Sequence, residues 1–288
     1  MTHEKQIVIL YHGKCPDGFG GAYAAWKKFG DSAEYIPLHY GKPIPNNMDG
    51  RDMYFVDFCY DQENMDKLAK TASSITVLDH HEGTKSVATS FPGVFDSSQS
   101  GATITWKYFH PNTPMPFLFP YLEDYDLFRF KLQDTRALNA YLTLEPYTFE
   151  RWDEIISELE KPETREEIIS LGKIYAQHTD ALMEHIASSA DMVEFEGYTC
   201  YLSGTVLQAF TDYIGHLLAE KQPPFALMVR PTADGLHVSL RGVDGFDTTI
   251  LARKYGGNGH QCASAFRIPW GTPIPWKTAE KEDENTLH

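Results

Sequence analysis

The sequence predicts an α/β protein: an N-terminal, mainly parallel sheet flanked by helices, a helical connector, and a smaller C-terminal α/β domain. Three observations predict it. From residue 6 to residue 109, short apolar runs alternate with stretches of helical spacing, the order that winds a parallel sheet. From 149 to about 190, apolar residues recur at helical spacing alone. After 190, strand-like runs return around one helical stretch.

Residues 6–11, QIVILY, read as a buried parallel strand that stops at His12. A glycine-rich loop and a helix over 22–29 follow. Residues 34–39 are a second strand, and 53–56 a third that ends at Asp57. Helical spacing covers 62–71. Residues 75–78 form a fourth strand ending at Asp79-His80-His81, Val94-Phe95 a fifth, and 102–109 another helix. Trp152, Ile155, Ile156 and Leu159, then Ile168, Ile169, Leu171, Ile174, Tyr175, Leu182 and Ile186, mark the connector, which Pro162 divides in two. Strands are expected at 199–202, 225–229 and 237–240, with a helix over 206–220 and a break at Pro223-Pro224. Residues 255–266 read as a compact glycine-rich loop. The expected domain bounds are 1–148, 149–190 for the connector, 191–270, and a tail over 271–288.

At 288 residues the chain exceeds most single cores, and 42% hydrophobic residues allow sizeable ones. The formal net charge of −15 argues against wrapping a long nucleic acid. It is compatible with a small phosphorylated or nucleotide substrate, because divalent cations and a few basic residues can hold one. The four cysteines, at 15, 59, 200 and 262, form no CxxC pair, which predicts no disulfide framework and a reducing, cytoplasmic setting. No apolar run approaches the roughly 20 residues that span a bilayer, and residues 1–5 lack a signal-peptide pattern. No membrane partner is expected, and homo-oligomerisation is left open.

His12, Asp57 and Asp79-His80-His81 each come directly after an apolar strand. In an open α/β sheet, strand C-terminal ends converge on one edge, where ligands bind. Together with Asp17 and Asp124 these residues form a set of imidazoles and carboxylates suited to manganese, magnesium or zinc. The excess of carboxylates favours Mn²⁺ over structural zinc. Each residue has another use, because an Asp or His after a strand often caps a helix or satisfies a turn. Two adjacent histidines after a buried strand have no common packing role, and the coincidence at three strand ends favours a metal site.

These residues resemble the DHH phosphoesterase superfamily over nearly the whole chain. The superfamily includes RecJ-type exonucleases, nanoRNases, cyclic-dinucleotide phosphodiesterases, exopolyphosphatases and family II pyrophosphatases. The naming motif is Asp79-His80-His81. The first motif resembles His12-Gly-Lys-Cys-Pro-Asp17-Gly-Phe-Gly-Gly, the second Val56-Asp57-Phe58, and the fourth Glu123-Asp124-Tyr125-Asp126-Leu127-Phe128. The C-terminal part resembles the DHH-associated substrate-binding domain through Ser239-Leu240-Arg241 and the stretch Gly256-Gly257-Asn258-Gly259-His260-Gln261-Cys262-Ala263.

The resemblance implies a catalytic domain over 1–148, a substrate-binding domain over 191–270, and one or two Mn²⁺ ions, with Mg²⁺ or Zn²⁺ as alternatives. His12 and Asp57 would hold the first ion. Asp17, Asp57, His80 and Asp124 would hold the second, with Asp57 bridging. His81 would contact the scissile phosphate, and Asp79 would orient a ligand imidazole. Arg241 would grip a substrate phosphate, Gly257, Asn258 and Gly259 would offer backbone N–H groups, and His260 would add a side-chain contact. The implied activity is hydrolysis of a small phosphorylated substrate: a short oligonucleotide, a cyclic dinucleotide or phosphoadenosine phosphate. An exopolyphosphatase and a catalytically impaired nucleotide-binding module are the alternatives. The chain departs from the family at Cys15, where an Asp is usual. Cys15 either supplies a thiolate, favouring a softer ion, or packs as a plain buried cysteine. Asp126 either replaces Asp124 as ligand or pairs with a base such as Arg129.

Overall fold

The computed structural model describes residues 6–39, 42–204 and 208–279. Residues up to Ala176 form one compact unit and those from Gln177 on form a second.

In the first unit the chain alternates as the apolar runs require: β1 (Ile7–His12), α1 (Pro16–Phe29), β2 (Ala33–Leu38), β3 (Asp52–Val56), α2 (Gln62–Ala69), β4 (Ser74–Asp79), α3 (Lys85–Ala88), β5 (Gly93–Phe95) and α4 (Gly101–Phe109). Four more helices follow: α5 (Phe119–Asp126), α6 (Thr135–Leu142), α7 (Phe149–Leu159) and α8 (Pro162–Ser188), the last running on into the second unit. Among the described residues the sheet has five strands in the order β2-β1-β3-β4-β5, every pair parallel. Because strand side chains alternate, Ile9 and Tyr11 pack into one core with Phe19, Trp106 and Trp152, while Val8 and Leu10 pack into another with Phe55, Met53 and Met65. Each such fully buried side chain is worth about 1.5–3 kcal/mol. Helix starts are marked locally. The Asp61 carboxylate accepts from Asn64 N (2.9 Å), Ser100 Oγ from Thr103 N (3.4 Å) and Thr148 Oγ1 from Arg151 N (3.3 Å), and Pro16 opens α1.

The second unit contains β6 (Asp191–Phe195), β7 (Tyr198–Gly204), α9 (Gln208–Lys221), β8 (Phe225–Thr232), β9 (Gly235–Gly242), α10 (Thr249–Lys254), β10 (Asn258–His260), β11 (Ala263–Pro269) and β12 (Trp276–Thr278). Among the described residues these strands form a seven-stranded sheet in the order β10-β11-β9-β8-β7-β6-β12. Its pairs are antiparallel except β7–β8. The helix start expected at 206 and the last nine residues of the chain lie outside the described residues.

The structure corrects three expectations. The stretch read as a separate connector is shared. Trp152, Ile155 and Leu159 of α7 and Ile168 of α8 belong to the first unit's core, whereas Met183 and Ala187 of α8 pack into the second unit. Residues 255–266, read as a loop, contain β10 and the start of β11. The buried residues of β11, Ser264, Phe266 and Ile268, do alternate, but the glycines and short side chains before them obscure the strand, which is stabilised by its full-length pairing with β9. The stretch from 271, read as a tail, carries β12, whose Trp276 lies opposite Phe195 of β6 and packs on the core. A three-residue strand held by a partner far away in sequence leaves no local signature. Among the described residues no helix is long and apolar enough to cross a membrane.

Candidate metal centre

Strands β1, β3 and β4 are neighbours in the sheet, so the residues at their C-terminal ends lie side by side. His12 Nδ1 is 3.4 Å from Asp57 Oδ2. His80 Nε2 is 3.1 Å from Asp57 Oδ1 and 3.3 Å from Asp126 Oδ2. His81 Nδ1 is 3.7 Å from Asp57 Oδ1. Three overlapping donor groups result, each with its ligand atoms within 4.8 Å of one another: His12, Cys15 and Asp57; Asp57, Asp79, His80 and His81; and Asp17, His80 and Asp126. Asp57 belongs to two of them, and its backbone sits at φ 55, in the left-handed region. A non-glycine residue held there is a strained position of the kind that gathers at functional sites.

Two glycines let backbone approach this cluster. A Cβ on Gly101 would lie 2.5 Å from the Asp57 Cβ and 2.9 Å from its Oδ1, and one on Gly18 would lie 2.1 Å from the His12 carbonyl oxygen. Gly101 opens α4, so that helix starts against the carboxylates. Ala102 N donates to Asp17 Oδ1 at 3.1 Å, and the helix dipole favours negative charge at this end.

The electrostatics follow from burial. Asp17, Asp57 and His80 are 2%, 1% and 8% exposed. Burial, and then the charges of Asp57 and Asp126, push Asp17 well above the usual carboxylate range. The same causes, burial and the Asp57 charge, lift Asp126 to about 6. Burial opposes a charge on His80, but its hydrogen bond to Asp57 and the neighbouring acids outweigh it and raise the imidazole to about 9. Burial opposes charge on Asp57 too, but the imidazoles of His12 and His80 beside it outweigh that and lower its pKa. Burial and the charges of Asp57 and Asp17 push the Cys15 thiol upward, so its thiolate forms only if a cation displaces the proton.

Asp79 is fully buried and faces its own motif. Its Oδ1 accepts from His80 N (2.8 Å), His81 N (3.3 Å) and His81 Nδ1 (2.8 Å), and its Oδ2 from Thr84 Oγ1 (2.7 Å). Asp79 is therefore enclosed by its own motif, with His81 between it and the more exposed side of the cluster. Asp124 is the clearest correction. Its Oδ1 accepts from Lys131 N (2.9 Å) and its Oδ2 from Leu132 N (3.1 Å) and Thr135 Oγ1 (2.5 Å). Both oxygens are spent on the chain that follows α5. Asp126 joins the cluster instead, two residues further along, and the base Arg129 pairs with Glu123 at 2.9 Å.

In the second unit two of the candidates, Arg241 and Gly257, have partners within the chain. Arg241 on β9 donates from Nε (2.7 Å) and Nη2 (2.5 Å) to Asp212 of α9, and from Nη1 to the Leu240 carbonyl (2.9 Å). The expected donor role of Gly257 is corrected: its N–H donates to Ala252 O at 2.9 Å, and that of Gly256, at φ 72, to Arg253 O at 3.1 Å. This pattern closes the C-terminus of α10 in a Schellman turn. A Cβ on Gly257 would lie 2.1 Å from the Ala265 carbonyl oxygen. Asn258 and Gly259 lie in the edge strand β10, and the His260 side chain lies outside the described residues. Ser100 and Gly101 were missed by sequence reasoning. A cap residue followed by glycine just before a helical run is the signal that finds them.

The donor set fits a divalent cation. Asp17 Oδ2, Asp57 Oδ2 and Asp126 Oδ2 are buried, and Asp57 Oδ2 and Asp126 Oδ2 face imidazole nitrogens at the long distances of 3.4 and 3.3 Å, so three carboxylates crowd one buried place, a costly arrangement unless a proton or a cation shares them. His12, Cys15 and Asp57 would hold one ion, and Asp17, His80 and Asp126 a second.

No protein-family model matches the chain. The uncharacterized protein R106 of Acanthamoeba polyphaga mimivirus is 25% identical over 283 residues, covering 89% of this chain and 66% of that protein. The chain thus spans just under two thirds of that relative's length. Among solved structures, a PF0399 DHH domain described as a member of the s1p family of ribosomal proteins has a TM-score of 0.57 at 13% identity, covering 91% of this chain and 82% of that one. The pGpG-specific phosphodiesterase PggH from Vibrio cholerae has a TM-score of 0.51 at 14% identity, covering 92% and 94%. RecJ in complex with Mn²⁺ from Thermus thermophilus has a TM-score of 0.51 at 12% identity, covering 91% of this chain and 49% of that one. At these identities the likeness is one of fold, and the fold of this chain is that of the DHH-domain proteins.

Proposed function

We propose that the protein is a phosphoester hydrolase acting on a small phosphorylated substrate through divalent cations, Mn²⁺ first among the candidates and Mg²⁺ or Zn²⁺ behind it. The observation that carries this reading is the set of three overlapping donor groups at the C-terminal edge of the parallel sheet, two of which contain Asp57 and two His80. Bound ions would supply an activated water and neutralise charge building on the phosphoryl oxygens. Asp57 lies between His12 on one side and His80 and His81 on the other, so its carboxylate would help hold the bound cation whichever of its two groups is filled. Asp79 accepts from His81 Nδ1. Burial opposes charge on His81, but that bond and the Asp57 charge raise its pKa. Asp79 holds the His81 ring in one orientation, and in its protonated form that imidazole would donate to a phosphate oxygen. Two structural neighbours, a pGpG phosphodiesterase and RecJ with Mn²⁺, are consistent with this chemistry.

The test is metal content by mass spectrometry on protein purified without chelator, followed by hydrolysis assays with Mn²⁺. The panel comprises short oligoribonucleotides, a cyclic dinucleotide, phosphoadenosine phosphate and polyphosphate. Stoichiometric Mn²⁺ with turnover of one of the first three supports the reading. Turnover of polyphosphate alone moves it to an exopolyphosphatase. Failure to bind Mn²⁺ and to cleave any of the four removes the hydrolase.

A further inference from the structure

Directly after Asp126 the chain does something expensive. Phe128 and Phe130 both adopt left-handed backbone, at φ 51 and φ 48, a conformation that is a genuine outlier for a bulky residue. Phe128 is 80% exposed and Phe130 44%. Neither the strain nor the exposure serves the core. The segment is nonetheless pinned on both sides. Arg129 between the two rings donates to Glu123 (2.9 Å) and to the Ser98 carbonyl, and its own N–H is held by Asp124 O at 2.9 Å. The Asp124 carboxylate holds Lys131 N and Leu132 N behind them. The rings stand nearly perpendicular: Phe128 to Phe130 at 5.9 Å and 81°, Phe130 to Tyr125 at 5.7 Å and 83°. This edge-to-face set leaves a ring face of Phe128 bare to solvent.

We infer that Phe128 and Phe130 form a preorganised stacking platform for a nucleobase of the substrate. Phe128 stands two residues and Phe130 four residues beyond Asp126, at most about 7 and 14 Å of extended chain, so the platform lies within reach of a base carried by a phosphate bound at the cluster. A polyphosphate has no planar ring to use such a surface. The inference rests on the phosphoester reading above and narrows its substrate to nucleotides and short oligonucleotides. It also gives Asp124 a positioning role: its carboxylate fixes the loop that carries the rings.

The test compares hydrolysis of the dinucleotide pApA with that of an abasic counterpart bearing the same linkage. The variants are F128A, F130A and F128W. A phosphorothioate dinucleotide containing 2-aminopurine, whose emission is quenched on stacking, reports base contact without turnover. The expected result is a pApA-over-abasic preference that falls about tenfold in F128A, in the range set by stacking of one base. The loss is carried by KM, quenching weakens, and F128W restores both. A preference that does not change in F128A and F130A, or quenching that persists in both, overturns the platform. So does a shift from dimer to monomer on sedimentation with pApA kinetics unchanged, which would make the rings a contact between copies. Wild-type protein that quenches 2-aminopurine but cleaves neither substrate removes the hydrolase and keeps the platform. Cleavage of both at equal efficiency without quenching does the reverse.

Discussion

In the first unit, side chains from β1, α1, the β3 and β4 ends and α5 face one another until several carboxylates crowd the same few imidazoles in a buried place. In the second, the polar residues singled out by sequence face their own scaffold: Arg241 a neighbouring Asp212, Gly256 and Gly257 the end of α10. The contrast separates two kinds of motif. A group crowded by like charges in a buried place is poised for something absent from the chain, whereas a group whose partners are complete holds the fold.

The strongest way to break this contrast is at Asp57. Asp57→Ala removes the carboxylate shared by two donor groups, and Mn²⁺ occupancy should fall to background with activity lost at least about a hundredfold, since even partners outside the ligand set are worth ten- to a hundredfold. Mass spectrometry and steady-state kinetics check it, and occupancy equal to wild type would remove Asp57 from the site. The Asp pair of α5 sharpens the contrast within one helix. Asp126→Ala should lose cation affinity and activity to a similar degree while its unfolding midpoint holds. Asp124→Ala should keep stoichiometric cation but lose about 3 kcal/mol in urea unfolding, the scale for removing a buried, multiply bonded carboxylate. If Asp124→Ala were the variant that lost the metal, the assignments would be exchanged.

The pH dependence of cation binding has a definite sign. His80, raised to about 9, holds a proton in the cation-free protein at neutral pH, and burial beside Asp57 and Asp126 shifts Asp17 in the same, proton-holding direction. A cation must expel the His80 proton, so affinity should rise with pH up to about 9, by about tenfold per unit for each proton released. Calorimetry in buffers of different ionisation enthalpy counts those protons, and a pH-independent affinity would contradict the coupling. The smallest effects belong to the second unit. Arg241→Ala and Asp212→Ala should each cost about 1 kcal/mol or less, as partly exposed pairs do. Equal small losses with unchanged KM mark the pair as structural. A KM that rises in Arg241→Ala and falls in Asp212→Ala would mean that Asp212 holds the guanidinium in reserve for a phosphate.

What the sequence made legible follows the same division. The strand ends at His12, Asp57 and Asp79 could be read because a buried parallel strand is a continuous apolar run and its end is abrupt. Asp17 and His80 followed from them. The choice between Asp124 and Asp126 could not be read, because both are acids on one short helix and only the fold decides which faces the histidines. Gly256 and Gly257 read equally well as an anion loop or a helix stop, since both uses need glycine. β12 and the start of β11 were hidden because their stability lies in pairing with distant strands.

The contact between Gly101 and Asp57 has a further consequence. Because the first turn of α4 lies against the Asp57 carboxylate, an additional methylene there has no room, so glutamate at 57 is excluded by shape although it keeps the charge. The centre is thus a mould with fixed depth. Among sequences that share the Asp-His-His pattern, any bulkier residue at the position of Gly101 would have to push the carboxylate at position 57 away from its place beside the histidines, and the identity of that one glycine becomes a gauge of how deep the carboxylate is set.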